Sequence, residues 1–203
     1  MTVVVVDELE VARAQEYALL ALLLARSPDS AMLDRLAALR GDGSALGVAH
    51  AALEEAASRT DARRVEREYF TLFVGVGRGE LLPYASYYLT GALHGHPLAS
   101  LRQALLRIGI ERADGQSEPE DHIALLLDVM AGLAGGTIPA PAGTDREVFR
   151  EHIAPWVGRF FADLEHSESA DFYRRVAQLG RIFIEIEAQA FVLQEAERPP
   201  SQL

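Results

Sequence analysis

At 203 residues, with 49% apolar and 24% charged side chains, the chain has the composition of a globular protein with material for a sizeable core, and wholesale disorder is excluded. Its formal net charge of −11 opposes general binding to nucleic acid or to anionic membrane. There is no cysteine, which excludes disulfides, thiolate metal sites and a cysteine nucleophile, and all 19 basic side chains are arginine without a marked cluster.

The opening Met-Thr-Val-Val-Val-Val run has no basic residue before it and is too short to span a bilayer. Neither a signal peptide nor stable membrane insertion is expected, and the cytoplasm is the expected compartment. Asp7 and Glu10 have capping-box spacing and predict a helix that stops before Pro28. Its second half, Leu19 to Leu24, is apolar nearly all round, which places it centrally in a bundle. A second helix over 29–40 closes with Gly41 at C′, and Ser44 opens a third, rich in alanine.

From Asp61 a fourth helix sets Val65, Tyr69, Leu72 and Phe73 on one face and ends at Gly75. A loop through Pro83 follows, then an amphipathic helix from Pro97. The next helix sets Ile123, Leu126, Leu127, Met130 and Leu133 inward and ends at Gly135-Gly136. Glycine and proline crowd residues 135–144, the candidate linker or hinge. Thr144 and Glu147 form another capping box, and Pro155 interrupts that helical stretch. The last helix, about Ser169 to Glu195, carries Phe172, Val176, Leu179, Phe183, Ile186, Ala190 and Leu193 as a heptad seam. That stripe serves core packing, with a dimer seam or an exchanged C-terminal helix as the alternative. The whole chain, 1–203, reads as one all-α domain, a bundle of about eight to ten helices.

Residues 117–122, Ser-Glu-Pro-Glu-Asp-His, precede the apolar helix. Ser117 and Glu120 have capping-box spacing, Pro119 is tolerated in a first turn, and Glu118, Glu120 and Asp121 face the positive end of the macrodipole. His122 is not explained by that reading. On a helical wheel it borders the apolar stripe, Asp121 projects to the wetter side, and Glu118 lies four residues away as a neighbour. An acidic patch with one imidazole beside apolar surface suits a guanidinium held through charge-assisted bonds. Glu118, Asp121 and His122, with His94 and His96, also supply metal-type donors, but in no recognised ligand spacing. Gly75, Gly77 and Gly79 follow a helix, and no Gly-Lys-Ser/Thr comes after them, so chain reversal explains them better than phosphate binding. No nucleophile elbow is present, and an enzyme is not indicated.

Tyr69, Leu72-Phe73, Gly75, the Pro83-Tyr84-x-Ser86 turn and Glu118-Pro119-x-Asp121-His122, in that order, resemble the TorD/DmsD/NarJ family of molybdoenzyme maturation chaperones. The close likeness covers about residues 66–134. It implies an all-helical fold and a non-enzymatic role. The expected activity is binding the N-terminal leader, typically twin-arginine, and the apo form of a molybdenum-cofactor oxidoreductase, assisting cofactor insertion and delaying export. The peptide-binding residues that carry over are Tyr69, Leu72, Phe73, Pro83, Tyr84, Ser86, Glu118, Pro119, Asp121 and His122. No cofactor is implied beyond weak guanine-nucleotide binding, and the chain is expected to be a monomer or homodimer. Two departures, Asp114 where the family pattern has glutamate and Tyr69-Phe70 where some members have tryptophan, leave the client open. The alternative from another class is a nucleotide- or metal-dependent helical-bundle enzyme or sensor.

Overall fold

The computed structural model describes residues 8–112, 115 and 118–196. Among them every regular element is a helix, in the order α1 (Glu8–Ala25), α2 (Ser30–Leu36), α3 (Ala45–Ser58), α4 (Ala62–Tyr69), α5 (Ala85–Thr90), α6 (His96–Arg107), α7 (Ile123–Ala134), α8 (Thr144–Val148), α9 (Val157–His166) and α10 (Phe172–Ala196). This is the all-α bundle that the periodicity predicts. Two wide π turns, Phe70–Val74 and Phe149–Ile153, continue α4 and α8.

Helix starts follow short polar side chains. Asp29 accepts from the Met32 N–H at 2.8 Å, Ser44 from Gly47 at 3.0 Å and Asp61 from Arg64 at 3.0 Å, each satisfying a donor with no helical partner. Two boundary readings need correction. α2 ends at Leu36, so Gly41 lies in the following loop, where it packs against the Gly47 carbonyl. At α8 the cap residue is Gly143, in the left-handed region at φ 87°, and Thr144 turns back to donate to the Pro141 carbonyl, so Thr144 and Glu147 make no capping box. Asp7 and Ser117, the other two predicted capping residues, lie outside the described residues.

α1 and α7 pack along each other at the centre, and α10 lies across α9 and α3. Tyr17, Leu20 and Leu23 of α1 meet Ile123, Leu126, Leu127 and Met130 of α7 in one core with Tyr173, Val176 and Phe183 of α10. Gly180 lets α10 approach α9, because a Cβ there would lie 2.3 Å from the Phe161 ring. The heptad reading of α10 holds only for its first half. Beyond Phe183, Ile186 is 41% and Leu193 64% exposed, while Ile184, Glu187 and Phe191 turn inward. A straight helix repeats every 3.6 residues, so a 3.5-residue stripe drifts by ~20° per heptad off the core.

Arg13 ties α1 to α8 and α10. Its guanidinium reaches both oxygens of Glu187 on α10, at 2.7–3.1 Å, and also Glu10 and Asp145. The Tyr17 hydroxyl donates to the same Glu187 at 2.8 Å. Burial and the Glu187 charge push that hydroxyl far above its ordinary range, so it remains a donor.

Candidate functional site

The site begins with a chain reversal. The π turn after α4 ends at Gly75, whose φ of 62° suits glycine and whose N–H donates to the Phe70 carbonyl at 2.7 Å. The chain then folds back: Gly79 passes so close to Phe73 that a Cβ would lie 2.5 Å from its carbonyl carbon, and the Leu81 N–H donates to the Leu72 carbonyl at 2.8 Å. The glycine spacing thus serves reversal and delivers Pro83-Tyr84 beside residues 118–122.

There the two segments join edge to edge. Tyr84 and His122 form an isolated antiparallel bridge. The Ile123 N–H donates to the Pro83 carbonyl at 2.8 Å, and the Ala85 N–H to the Asp121 carbonyl at 3.0 Å. Asp121 Oδ2 accepts from the Ser86 N–H at 2.8 Å, at the start of α5. Its other oxygen, Oδ1, is buried without a hydrogen-bond partner. The Ser86 hydroxyl in turn accepts from the N–H of His94, which sits at φ 70°.

Asp121 is 1% exposed and His122 7%. The helical-wheel expectation that Asp121 projects to the wetter side is therefore corrected. Residues 118–122 precede α7, and His122 is extended at φ −65°, ψ 135°, so a helical period does not apply to them. His122 is itself the N-cap: its Nδ1 accepts from the Ala124 N–H at 3.2 Å. Burial holds the imidazole below its ordinary value, against the pull of Glu118 and Asp121, and an accepting Nδ1 requires the neutral ring.

Glu118 and Glu120 flank this bridge on separate tethers. Glu118 accepts from the Tyr84 hydroxyl at 2.5 Å, and Glu120 Oε2 takes both Nε and Nη2 of Arg102, at 3.0 and 2.8 Å. Tyr84 stands edge-on to His122, with ring centroids 5.1 Å apart. Burial, then Glu118, raises the Tyr84 hydroxyl, and the same two causes raise that of Tyr69. The half-buried Tyr69 belongs to this neighbourhood, its hydroxyl donating to the Ala25 carbonyl at 3.0 Å.

The fold thus brings together Pro83, Tyr84, Ser86, Glu118, Pro119, Asp121 and His122, with Tyr69 at the margin. Pro83 and Ser86 are buried, and the Pro119 carbonyl accepts from the His122 N–H at 3.1 Å. Leu72 and Phe73 are placed otherwise. Leu72 is fully buried, and Phe73 packs edge-on to Tyr173, 5.3 Å between centroids, under Tyr69. No cluster of three or more His, Asp or Glu side chains is arranged to hold a metal among the described residues.

Beside Glu120 opens a groove of about 580 Å³ lined by Leu105 and Leu106 of α6, Ile110, and Leu125 and Val129 of α7, with charged side chains of both signs among them. The sequence reading overlooked this groove and Arg102. Leu125 and Val129 form a second apolar stripe, on the outer face of α7, and that was the available signal.

With this geometry in view, the comparisons are specific. The model of the nitrate reductase delta subunit family matches residues 40–162, more than half of the chain. The chain belongs to this family, that of TorD, DmsD and NarJ. A Vibrio cholerae protein named chaperone protein TorD is 28% identical over 144 residues, covering 66% of either chain. A Haemophilus influenzae protein named probable Tat proofreading chaperone DmsD is 32% identical over 119 residues, covering 58% of this chain and 57% of the relative. The match therefore spans 66% and 57% of the length of these two relatives, less than two thirds of either. A crystal structure described as that of a candidate redox enzyme maturation protein from Archaeoglobus fulgidus superposes with a TM-score of 0.56 at 23% identity, covering 85% of this chain and 93% of that one, a likeness of fold. No helix among the described residues is long and apolar enough to cross a membrane.

Proposed function

We propose that this protein is a cytoplasmic chaperone for the maturation of a molybdenum-cofactor oxidoreductase. It binds the N-terminal leader, of the twin-arginine kind, and the apo form of its client, assists cofactor insertion and delays export until maturation is complete. It does no covalent chemistry. The observation that carries this reading is the joining of two remote segments, 83–86 and 118–122, into one surface on which Glu118, Tyr84 and Tyr69 stand together. A half-buried carboxylate beside aromatic rings suits a guanidinium, which combines a planar charged fork with weakly hydrated faces. The groove lined by α6 and α7 lies beside Glu120 and suits the apolar stretch that follows the arginines in such a leader. Family membership and the names of the TorD and DmsD relatives support the same role.

Calorimetry tests the reading with a synthetic twin-arginine leader and a copy in which both arginines are alanine. The native leader is expected to bind at least about tenfold more tightly, with an affinity that falls as salt rises. Equal affinity for the two peptides would remove the reading.

A further inference from the structure

We propose that Asp121 is a positioning residue and that Glu118 is the carboxylate of the motif that meets the leader's cation. This deepens the leader-binding reading and rests on it. The four polar side chains of residues 118–122 are in four different situations.

Asp121 is enclosed, and its carboxylate serves the chain itself. Oδ2 holds the Ser86 N–H at 2.8 Å while the backbone carbonyl of the same residue holds the Ala85 N–H at 3.0 Å. With the Ile123–Pro83 bond, these contacts lock segment 83–86 to segment 118–122 and fix where Tyr84 stands. A guanidinium reaching Asp121 would have to enter the core and lose its water, a cost that a single oxygen does not offset. His122 is equally committed, its Nδ1 capping α7 and its ring packed against Tyr84. Glu120 is already neutralised by Arg102, which makes two bonds to one oxygen.

Glu118 differs from all three. It is half-buried, its hydrogen bond comes from a neutral hydroxyl, and it has no ion-pair partner among the described residues. A carboxylate offers about four lone-pair positions, and Tyr84 uses one of them. Tyr84 therefore aims Glu118, and Asp121 fixes Tyr84. In this arrangement the negative charge of Asp121 is dispensable, whereas its oxygen acceptor is required.

That distinction separates Asp121→Asn from Asp121→Ala. Asparagine keeps an oxygen for the Ser86 N–H and removes the charge; alanine removes both. With the twin-arginine leader in calorimetry, Asp121→Asn is expected to bind within about threefold of the native chain, and Asp121→Ala about tenfold or more weakly. Glu118→Gln is expected to lose about tenfold and to flatten the salt dependence, which Asp121→Asn leaves unchanged. Far-ultraviolet circular dichroism and melting establish that each variant is folded. If Asp121→Ala does not fold, Asp121→Asn and Glu118→Gln still decide the matter, because both keep the backbone contacts. An Asp121→Asn protein that loses affinity and salt dependence as Glu118→Gln does would overturn the proposal.

Hydrogen exchange at the Ser86 amide reads the lock without any ligand. It should be slow in the native chain and in Asp121→Asn, and fast in Asp121→Ala. Exchange that stays slow in Asp121→Ala sinks the lock. A native chain that takes no leader sinks the leader reading itself, and the role of Glu118 with it.

Discussion

Glu187 and Asp121 are each 1% exposed, and these two carboxylates are treated in opposite ways. Glu187, on α10, faces Arg13 through three close contacts and takes a fourth hydrogen bond from Tyr17. Asp121, where two chain segments meet, has no ion-pair partner among the described residues, accepts one backbone N–H on its side chain and leaves the other oxygen without a partner. In the low-dielectric interior an ion pair with satisfied lone pairs is a rigid strut, whereas a single acceptor for a backbone donor is a local pin. The strut joins α1, α8 and α10 through the middle of the bundle. The pin joins two short segments beside the candidate leader surface. The same chemical group thus braces the bundle in one environment and joins two chain segments in another.

The sharpest way to break this comparison is at the strut. Arg13→Met leaves Glu187 buried with only a tyrosine, and is expected to cost about 3–5 kcal/mol in denaturant unfolding. The double change Arg13→Met with Glu187→Met should recover much of that loss, since the fully buried charge is gone and only the part-exposed Glu10 and Asp145 lose their partner. If Arg13→Met alone cost less than about 1 kcal/mol, the pair would be behaving as an exposed one and the contrast would fail. The pin should matter less to stability: Asp121→Ala strands the Ser86 N–H and is expected to lower unfolding free energy by about 1–3 kcal/mol. A larger loss than at Arg13 would reverse the ranking.

A smaller effect concerns protons. The folded-state value of His122 lies below the ordinary 6.5, chiefly through burial. Its contribution to stability is therefore complete above about pH 6.5 and declines as pH falls from there toward the lowered folded value, because the unfolded chain binds the proton first. His50, hydrogen-bonded to Glu16 at 2.9 Å, is raised by that bond and behaves oppositely. Its contribution is complete below about pH 6.5 and is lost as pH rises through the raised value. Comparing denaturation midpoints from pH 5 to 8 in His122→Asn and His50→Gln separates the two. Asparagine remains a helix cap and should remove the acid-side decline. A decline that persists in His122→Asn would assign it to other groups, His152 first among them, since its imidazole is also lowered by burial.

Much of the architecture was legible because helix starts and apolar faces are local. Asp29, Ser44 and Asp61 cap where a short polar side chain precedes an amphipathic run, and Ile123, Leu126, Leu127 and Met130 are buried as their spacing requires. Gly75 ends its helix as read. Two of the misreadings came from extending a local period past the point where tertiary contacts take over, and two, Gly41 and the Thr144–Glu147 pair, from a local motif that the chain uses otherwise. The heptad of α10 left the core at Ile186, and the wheel drawn through Asp121 treated an extended bridge as helix. Glu68 shows a contact with no local signal at all: it accepts the N–H groups of Asp171, Phe172 and Tyr173, at 2.7–3.2 Å, and so begins α10 from a hundred residues away.

By itself the sequence determined the all-helical class, the inward faces of the main helices and the order of the two motif segments. These depend on side-chain size, polarity and spacing within one or two helical turns. Only the tertiary structure decided that Asp121 faces inward while Glu118 stays accessible, that His122 is a neutral cap and that Arg102 already occupies Glu120. Each depends on a partner between 18 and 35 residues away for the longer contacts, or on an extended backbone that helical periodicity does not describe. The physical reason is that a carboxylate's role is set by what surrounds its oxygens, and those surroundings are assembled only when distant segments meet.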